Sequence, residues 1–555
     1  MSKTDQSEVE DICRRISGSE TKFQTELYGT MDIDFDLWAL QPMAIKGIEP
    51  SVNYNQVTKI ISLDRDTEKG FVSPSPRAFA DLIHSRVTAS ERQITVRAQG
   101  GNKGGDRDLA RDLELLVAYA LEKNDERLTM ELNYPPLLDY LVWSGMIRGI
   151  FCVRTLVKEG EDGRSSFDFM PLDPRYVKYE MGSKGKLWIS SSTFRSAAAI
   201  KDEYGKDAAD EDNNEVHDVW KVTEPGKKVK NYIIHNRELM EDAIEYDLPT
   251  IPVLYLTVPG VPPIKSLREL VNKHGTSIYA GAREIFRFEN ELISMWASHA
   301  ELLFRQPLLN YFGTEGKELS TTAYFQSAVM NLPMGQNKLE PAPVKDISPT
   351  IVNLIGLIGS LRQRITAPDI EYGELKNFPL SGTAINELQS AREKSQGPIL
   401  RGLKYLYTGI ANQIEQQIKN SGMKTAIEAE VNREYYASEI EPVILDTPHI
   451  TRVEFVVRTA WNQLDTYQVA DMAQRLGLPD EFIWEYILKV PDPKGMKELG
   501  MVEDAEHSPI LRVLGAIKKL IEDGREGEAK AVGEDFRRQW LSQEQGAEGA
   551  VAGNE

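Results

Sequence analysis

The chain has 555 residues and carries 85 acidic against 65 basic side chains, a formal net charge of −20. This balance excludes a protein that wraps DNA, because such binding needs cationic side chains to displace phosphate counterions, but it permits a negatively lined passage through which DNA slides. The longest strongly apolar run, residues 351–361, is far shorter than the ~20 residues of a membrane span, and the polar, acidic start of the chain is not a signal peptide. We therefore expect a soluble protein with no membrane partner.

Two cysteines, Cys13 and Cys152, lie far apart in the sequence. A pair without a close-spaced partner indicates reduced thiols in a protein made in a cytoplasm.

The first part of the chain predicts a mixed α/β region. Residues 1–60 show no clear period, and "MDIDFDLWAL" suits a strand or a helix. Residues 76–87 predict a short helix that begins after Pro74 and Pro76, and residues 93–98 alternate as a half-exposed strand. A glycine-rich loop then precedes an amphipathic helix, with one apolar face made of Leu109, Leu113, Leu116, Val117 and Ala120.

Residues 147–240 alternate in polarity and contain turn sequences such as "GEDG", "GSKG" and "PGKK". This pattern predicts a series of antiparallel hairpins. The acidic stretch 206–215 predicts an exposed loop.

Longer helices are predicted after residue 266. Residues 277–304 and 349–366 are apolar at helical spacing, and the segment 306–347 between them has no period. Residues 381–418 form the longest helical pattern, in which Gly397 and Pro398 predict a kink because proline removes a backbone hydrogen bond. Residues 451–460 form the clearest late strand.

The glycine-rich loop is the first candidate for chemistry. A dinucleotide site needs G-x-G-x-x-G after a buried strand, whereas the glycines here are 100, 101, 104 and 105 and the strand is half exposed. Asp106 and Asp108 open the following helix and would repel a phosphate, so Asp106 is interpreted as an N-cap. The loop is therefore predicted to be a turn.

Other catalytic patterns are incomplete. The stretch "GTEGKELST" contains Gly316-Lys317, but Tyr311 and Glu318 replace the glycine and hydroxyl of a phosphate loop. The seven histidines are scattered, and there is no cysteine cluster and no G-x-S-x-G. We expect no enzyme activity, no metal and no cofactor.

The order of the parts resembles the portal proteins of tailed bacteriophages. An α/β region precedes two apolar helices that flank a short insert, and "TAPDIEYGELKNFPLSG" then leads to a long kinked helix. The segment "PDIEYGELKNFPLSGTAINEL" is similar to the stretch of that family that reaches the kinked helix through a Ser-Gly-Thr-Ala turn. The stretch from "ARDLELLVAYALEK" to "GMIRGIFCVRTLV" looks like the family's wing. The resemblance covers residues 75–500 and is one of layout, because the family has no short diagnostic motif.

The resemblance implies an α+β portal-like subunit in a homo-oligomeric ring, typically of twelve copies, at one capsid vertex of the virion. Double-stranded DNA would pass through the ring during packaging and ejection. The implied partners are the large terminase, the major capsid protein, scaffolding protein, and head-completion, adaptor or tail proteins. Apolar stem helices suit such a ring because neighbouring subunits cover them.

The resemblance also implies a division of the chain and a set of site residues. The division is an N-terminal arm (1–60), a wing (61–265), a first stem helix (266–305), a clip (306–347), a second stem helix (348–367), a tunnel loop (368–382), the kinked helix with the remaining wing and crown (383–500), and a helical crown with a disordered acidic tail (501–555). Candidates for facing DNA are Lys376, Asn377, Arg362 and Arg364, although the two arginines equally suit the dipole at the end of their helix. Candidates for facing the terminase or adaptor are Phe312, Lys317, Met334 and Lys338.

Two other classes remain open. One is another self-assembling phage structural protein, such as an adaptor or baseplate component. The other is a nucleotide-dependent DNA-processing enzyme, which would need a phosphate loop or carboxylate cluster.

Overall fold

The computed structural model describes most of the chain up to residue 479. The described residues are 3–23, 28–40, 72–98, 104–160, 165–183, 185–208, 211–258, 275–304, 308–312, 329–333, 338–341, 349–366, 382–431, 434–456, 460–479, 483, 487, 488, 530 and 532. They fall in two compact units, residues 1–457 and residues 458–555.

The described helices occur along the whole of this range. They are α1 (Lys3–Phe23), α2 (Gly29–Ala39), α3 (Ser75–Thr88), α4 (Gly104–Met130), α5 (Leu137–Ile147), α6 (Ala197–Tyr204), α7 (Arg283–Phe304), α8 (Pro349–Ile365), α9 (Gly382–Ser421) and α10 (Ala460–Arg475).

The described strands are mostly short and antiparallel. They are β1 (Glu91–Ala98), β2 (Ile150–Glu159), β3 (Ser165–Pro171), β4 (Val177–Gly182), β5 (Gly185–Arg195), β6 (Asn214–Glu224), β7 (Lys228–His235), β8 (Glu238–Leu239), β9 (Ile244–Tyr246), β10 (Val253–Thr257), β11 (Leu308–Phe312), β12 (Val329–Pro333), β13 (Lys338–Pro341), β14 (Thr425–Val431), β15 (Glu434–Ile440) and β16 (His449–Val456). The chain is therefore of the α+β class, as predicted.

The predicted hairpins are confirmed, and they build two sheets. One has the order β10-β2-β3, and the other has the order β4-β5-β6-β7-β8 with β9 added beside β7. Most side chains of β2 and β3 are buried, because the main core packs on one face of this sheet and a second apolar cluster packs on the other. The acidic loop is exposed at residues 211–213, but Asn214, which begins β6, is buried.

The main core lies where α4, α5 and α9 pack on the first sheet. The predicted apolar face of α4 is confirmed: Leu113, Leu116, Val117 and Ala120 are inaccessible to solvent. α4 begins at Gly104, so Asp106 lies within its first turn and is not the N-cap, contrary to our expectation. The side chains of α9 that join this core lie three or four residues apart, from Ile399 to Ile418.

Two elements that the sequence left undecided are helices that pack on the sheets. "MDIDFDLWAL" is helical, as part of α2. α1 places Val9, Ile12 and Ile16 against the six-stranded sheet. The strand predicted at 451–460 is β16, which ends at Val456 and pairs with β1 along its whole length.

The second unit contains α10. Ala470 and Ala473 of this helix are buried and pack with Ile483. The expected disordered tail lies outside the described residues.

Candidate assembly surface on the helix pair

The helices α7 and α8 pack together as an antiparallel pair. Glu289, early in α7, bonds to Arg362, late in α8, and Gly281 lies beside Ile365. The opposite ends of the two helices lead into the small sheet β12-β11-β13. The expected pair of apolar helices around an insert is therefore present within the described residues.

The insert contains regular structure that the sequence did not indicate. β11 pairs in parallel with β12 and antiparallel with β13. Asn310 of β11 is buried, and Lys338 of β13 forms an ion pair with Glu340. Strands of four or five residues are too short to show a reliable alternation, which explains why the sequence of this segment has no clear period.

The chain that leads into α7 is bound closely to the first unit's core. Gly149 has φ +71°, and a Cβ on Gly275 would lie 1.5 Å from the Gly149 carbonyl oxygen, so the two backbones touch. The Ile278 amide donates to the Met146 carbonyl at 2.9 Å. The Tyr279 hydroxyl donates to the Pro76 carbonyl at 2.6 Å.

Charged groups fix the start of α7 to α2. The Arg283 guanidinium donates two hydrogen bonds to the Asp34 carboxylate, at 2.6 and 2.7 Å. Asp34 is 2% exposed, and an ionised carboxylate this deep needs such a bidentate partner. The start of α7 is therefore tied to α2 by a partly buried ion pair.

A second charged contact holds α8. Arg362 Nη1 donates to Glu289 Oε1 and to the Ser75 hydroxyl, each at 2.7 Å. Glu289 Oε2 is buried and has no hydrogen-bond partner. Burial raises the pKa of Glu289, and the nearby Arg362 charge only partly opposes this increase.

The helix pair also exposes large apolar side chains. Leu357, Leu361 and Ile365 are 55%, 38% and 43% exposed and follow each other at intervals of four residues on α8. Such a stripe faces one direction on a helix. Other exposed apolar side chains of the pair and the small sheet are Phe288, Trp296, Leu339 and Val352. This stripe is a candidate interaction site, because large exposed apolar patches commonly mark such sites.

Two glycines adjoin this stripe. Apart from the backbone of α8 itself, no described atom lies within 4 Å of a Cβ placed at Gly356 or Gly359. Within the described residues, the two positions therefore leave room for a packed neighbour.

Of the four candidates for facing DNA, the structure describes only the two arginines. Lys376 and Asn377 lie outside the described residues. Arg362 is engaged by Glu289 and Ser75, as above, and Arg364 is exposed. The channel role of the arginines stays a prediction.

The proposed clip residues divide in the same way. Lys317 and Met334 lie outside the described residues, and so does the side chain of Phe312, whose backbone ends β11. Lys338 is exposed on β13.

The predicted kink position lies inside a continuous helix. α9 runs from Gly382 to Ser421 with Pro398 in its interior. Proline cannot donate to the Lys394 carbonyl, so one helical hydrogen bond is missing there. The helix nevertheless continues through Pro398, as expected if this proline bends the helix without ending it.

The described residues contain one serine–histidine contact relevant to hydrolysis. Ser192 Oγ lies 2.9 Å from His217 Nδ1, but Glu215 approaches the same nitrogen at 3.8 Å. A catalytic acid must orient the opposite nitrogen, so this arrangement does not form a relay. Ser192 and His217 are direct cross-strand partners, and their contact suits sheet stabilisation. Among the described side chains, no group of three or more His, Cys, Asp or Glu could hold a metal ion.

The residues that place the helix pair were not found from the sequence. Asp34, Ser75 and Glu289 are separated from their arginine partners by 249, 287 and 73 residues. The local sequence gives no signal for these contacts, because Asp34 lies between Asp32 and Asp36 and Glu289 lies beside Asn290 and Glu291.

Comparison with known proteins yields no protein-family model that matches the sequence and no significant match among curated proteins. Within the described part of the chain, no helix has the combination of length and apolar content that crossing a membrane requires.

Proposed function

We propose that the chain is the subunit of a portal-type ring: a homo-oligomer at a capsid vertex through which double-stranded DNA is packaged and ejected. The single observation that carries the proposal is the exposed apolar stripe on an anchored antiparallel helix pair. In this role, α7 and α8 form the stem, β11–β13 belong to the clip, and the hairpin sheets with α4 and α5 form the wing.

The contacts at the start of the pair support a structural role for it. Arg283–Asp34 and Arg362–Ser75 fix the helices to α2 and α3, Arg362–Glu289 joins them to each other, and the apolar side chains of the stripe remain exposed. A rigid base with an uncovered apolar side is what a closed ring requires, because each copy can then present the same surface in the same direction to its neighbour.

The charge balance supports a conduit. A net charge of −20 disfavours tight binding of the DNA backbone, which keeps DNA mobile in a passage. The proposal includes no catalytic step. The implied partners are the large terminase, the major capsid protein, scaffolding protein, and the adaptor or tail proteins.

The stripe also suits another ring-forming phage protein, such as an adaptor or baseplate component. The two structural roles differ in the bore of the assembly, since only the portal must admit duplex DNA.

Substitution of the stripe tests the proposal. The double variant Leu357→Gln/Leu361→Gln should weaken each subunit contact by about 1–2 kcal/mol for each side chain. The reason is that burial of a polar glutamine side chain gains less free energy than burial of leucine. Light scattering on size-exclusion fractions should show a shift from large assemblies to single copies.

The matched control is Met130→Gln, which changes an 83% exposed apolar side chain away from the helix pair. It should leave the mass of the assembly unchanged. Equal masses for the stripe variant and the control would contradict the proposed assembly surface.

A further inference from the structure

The start of β16 is attached to α9 through a histidine and a carboxylate that are both largely buried. His449 Nε2 lies 3.1 Å from Glu415 Oε2, and the two side chains are 9% and 12% exposed. The Thr451 hydroxyl donates to Glu415 Oε1 at 2.6 Å. On the other side of the ring, His449 Nδ1 lies 2.6 Å from the Thr447 carbonyl oxygen. Both nitrogens of the imidazole therefore face oxygen atoms.

These contacts determine how many protons the site needs. A neutral imidazole has one N–H donor and one acceptor nitrogen, and a carbonyl oxygen can only accept. When Nδ1 donates to Thr447, Nε2 has no proton to give to an ionised Glu415, and two lone pairs face each other where little water can enter. The opposite tautomer moves the same conflict to Nδ1 and Thr447. One further proton, on Nε2 or on Glu415 Oε2, removes the conflict.

We propose that Glu415 and His449 bind one proton between them and form a pH-sensitive latch between β16 and α9. When the strand separates from the helix, water satisfies both groups and the need for the shared proton disappears. The attached strand therefore retains the proton to higher pH than the detached one. The stabilisation is present below about pH 6.5, where a free imidazole is protonated, and it is lost as the pH rises further. This inference does not depend on the assembly of a ring.

The charged groups around the latch leave Glu415 as the partner of the ring. Lys419, one turn later on α9, pairs with Asp446 at 2.5 Å, and both side chains are about half exposed. On β1, the residue directly opposite His449 is Ala98, which carries no charge. Within the described residues, Glu415 is therefore the charged side chain that contacts the imidazole.

The later part of β16 is attached to α9 by contacts without a histidine. The Val453 amide donates to the Thr408 hydroxyl at 3.2 Å, and Lys404 pairs with Glu454 at 2.5 Å. Opening of the latch should therefore loosen the start of β16 and the end of β1 that pairs with it, and leave the later contacts in place.

Hydrogen exchange of the full-length protein tests the latch. Rates are measured at about pH 5.5 and about pH 8.5, on either side of the titration of a free imidazole, and corrected for intrinsic exchange. The amides at the start of β16 should exchange about tenfold faster at the higher pH, because one hydrogen bond is lost, whereas those of α4 should keep their rates.

Glu415→Gln should abolish this pH dependence and keep β16 protected at both pH values. The glutamine amide can donate to Nε2 of a neutral ring, while its carbonyl oxygen still accepts from Thr451. A contribution of Glu415 to packing alone would not give protection at the higher pH. His449→Gln removes the ring, so the start of β16 should exchange rapidly at both pH values.

The matched control is His84→Gln, because His84 Nε2 faces the Asp139 carbonyl oxygen at 3.0 Å in another part of the first unit. This variant should leave the pH profile of β16 unchanged. Equal β16 rates at the two pH values in the unchanged protein would overturn the latch. So would a pH dependence that persists in Glu415→Gln or His449→Gln, or a Glu415→Gln variant that is loosened equally at both pH values.

Discussion

Arg362 and Glu289 join the two helices of the candidate stem through one hydrogen bond of 2.7 Å, and the same Arg362 nitrogen also reaches Ser75 of α3. The second oxygen of Glu289 is buried without a partner. A single guanidinium therefore connects three helices, and the carboxylate that it contacts is only half satisfied.

Replacement of Arg362 by Met should loosen the end of α8. The change leaves Glu289 buried without its cation and removes the bond to Ser75, at a cost of about 1–3 kcal/mol. This loss of local stability should accelerate hydrogen exchange of the α8 amides, whereas the exchange rates of the α4 amides should stay unchanged.

The matched control is Arg364→Met, which removes an exposed guanidinium two residues away. Equal acceleration in both variants would show that charge at the helix end, and not the contact with Glu289, stabilises α8.

Mild acid should strengthen this end of the helix pair. Burial raises the pKa of Glu289 above its ordinary 4.5, so the folded protein binds this proton more tightly than the unfolded chain. The stabilisation is fully present below pH 4.5 and is lost as the pH rises through the folded-state pKa. Exchange of the α8 amides, corrected for intrinsic rates, should therefore slow as the pH falls toward 4.5.

Glu289→Gln removes the titrating group and should abolish this pH dependence. A variant that keeps the same pH profile as the unchanged protein would place the titration elsewhere.

The contact of α1 should respond to acid in the opposite direction. Burial alone would raise the pKa of Glu8, but hydrogen bonds from Lys221 and Tyr232 outweigh it, and the pKa lies below its ordinary 4.5. The stabilisation by Glu8 is present above pH 4.5 and is lost as the pH falls through the lower folded-state pKa. Exchange of the α1 amides, corrected in the same way, should accelerate below pH 4.5, and Glu8→Gln should remove that response.

The charge cluster around Asp168 should be the most sensitive polar site of the main core. Asp168 accepts from Arg127 at 2.7 Å and from Arg154 at 3.0 Å, and Arg154 also binds Asp218 of the other hairpin sheet at 2.8 Å. Asp168→Asn leaves two partly buried arginines without their shared counterion, and should destabilise this region by about 2–4 kcal/mol. Hydrogen exchange of β2 and β3 measures the loss.

Asp81→Asn provides the comparison, because Asp81 pairs with Arg77 on the exposed face of α3. Such a pair contributes about 0–1 kcal/mol. A loss for Asp168→Asn no larger than that of the control would mean that the cluster has no stabilising role.

The sequence predicted elements whose signal lies within the element. The apolar face of α4 repeats over several turns, and the alternation at 93–98 identifies β1, because burial imposes the period of the structure on adjacent residues. The partner of β1 is β16, more than 350 residues away, and no local pattern identifies it.

The candidate site was predictable in outline for the same reason. The apolar periods at 277–304 and 349–366 identified both helices of the pair, α7 and α8. In contrast, Arg362 at a helix end suits the dipole without any partner, so its contact with Glu289 and Ser75 could not be inferred. The strands of the insert are too short for a periodic signal.

The central claim is that identical copies close into a ring around DNA. Electron microscopy of the purified full-length protein, with the copies counted, tests it most directly. The account predicts a closed ring of about twelve copies, related by rotation and joined along the helix pair, with a channel wide enough for duplex DNA. An open filament, a ring with a bore too narrow for duplex DNA, or a single copy that hydrolyses a nucleotide would contradict it.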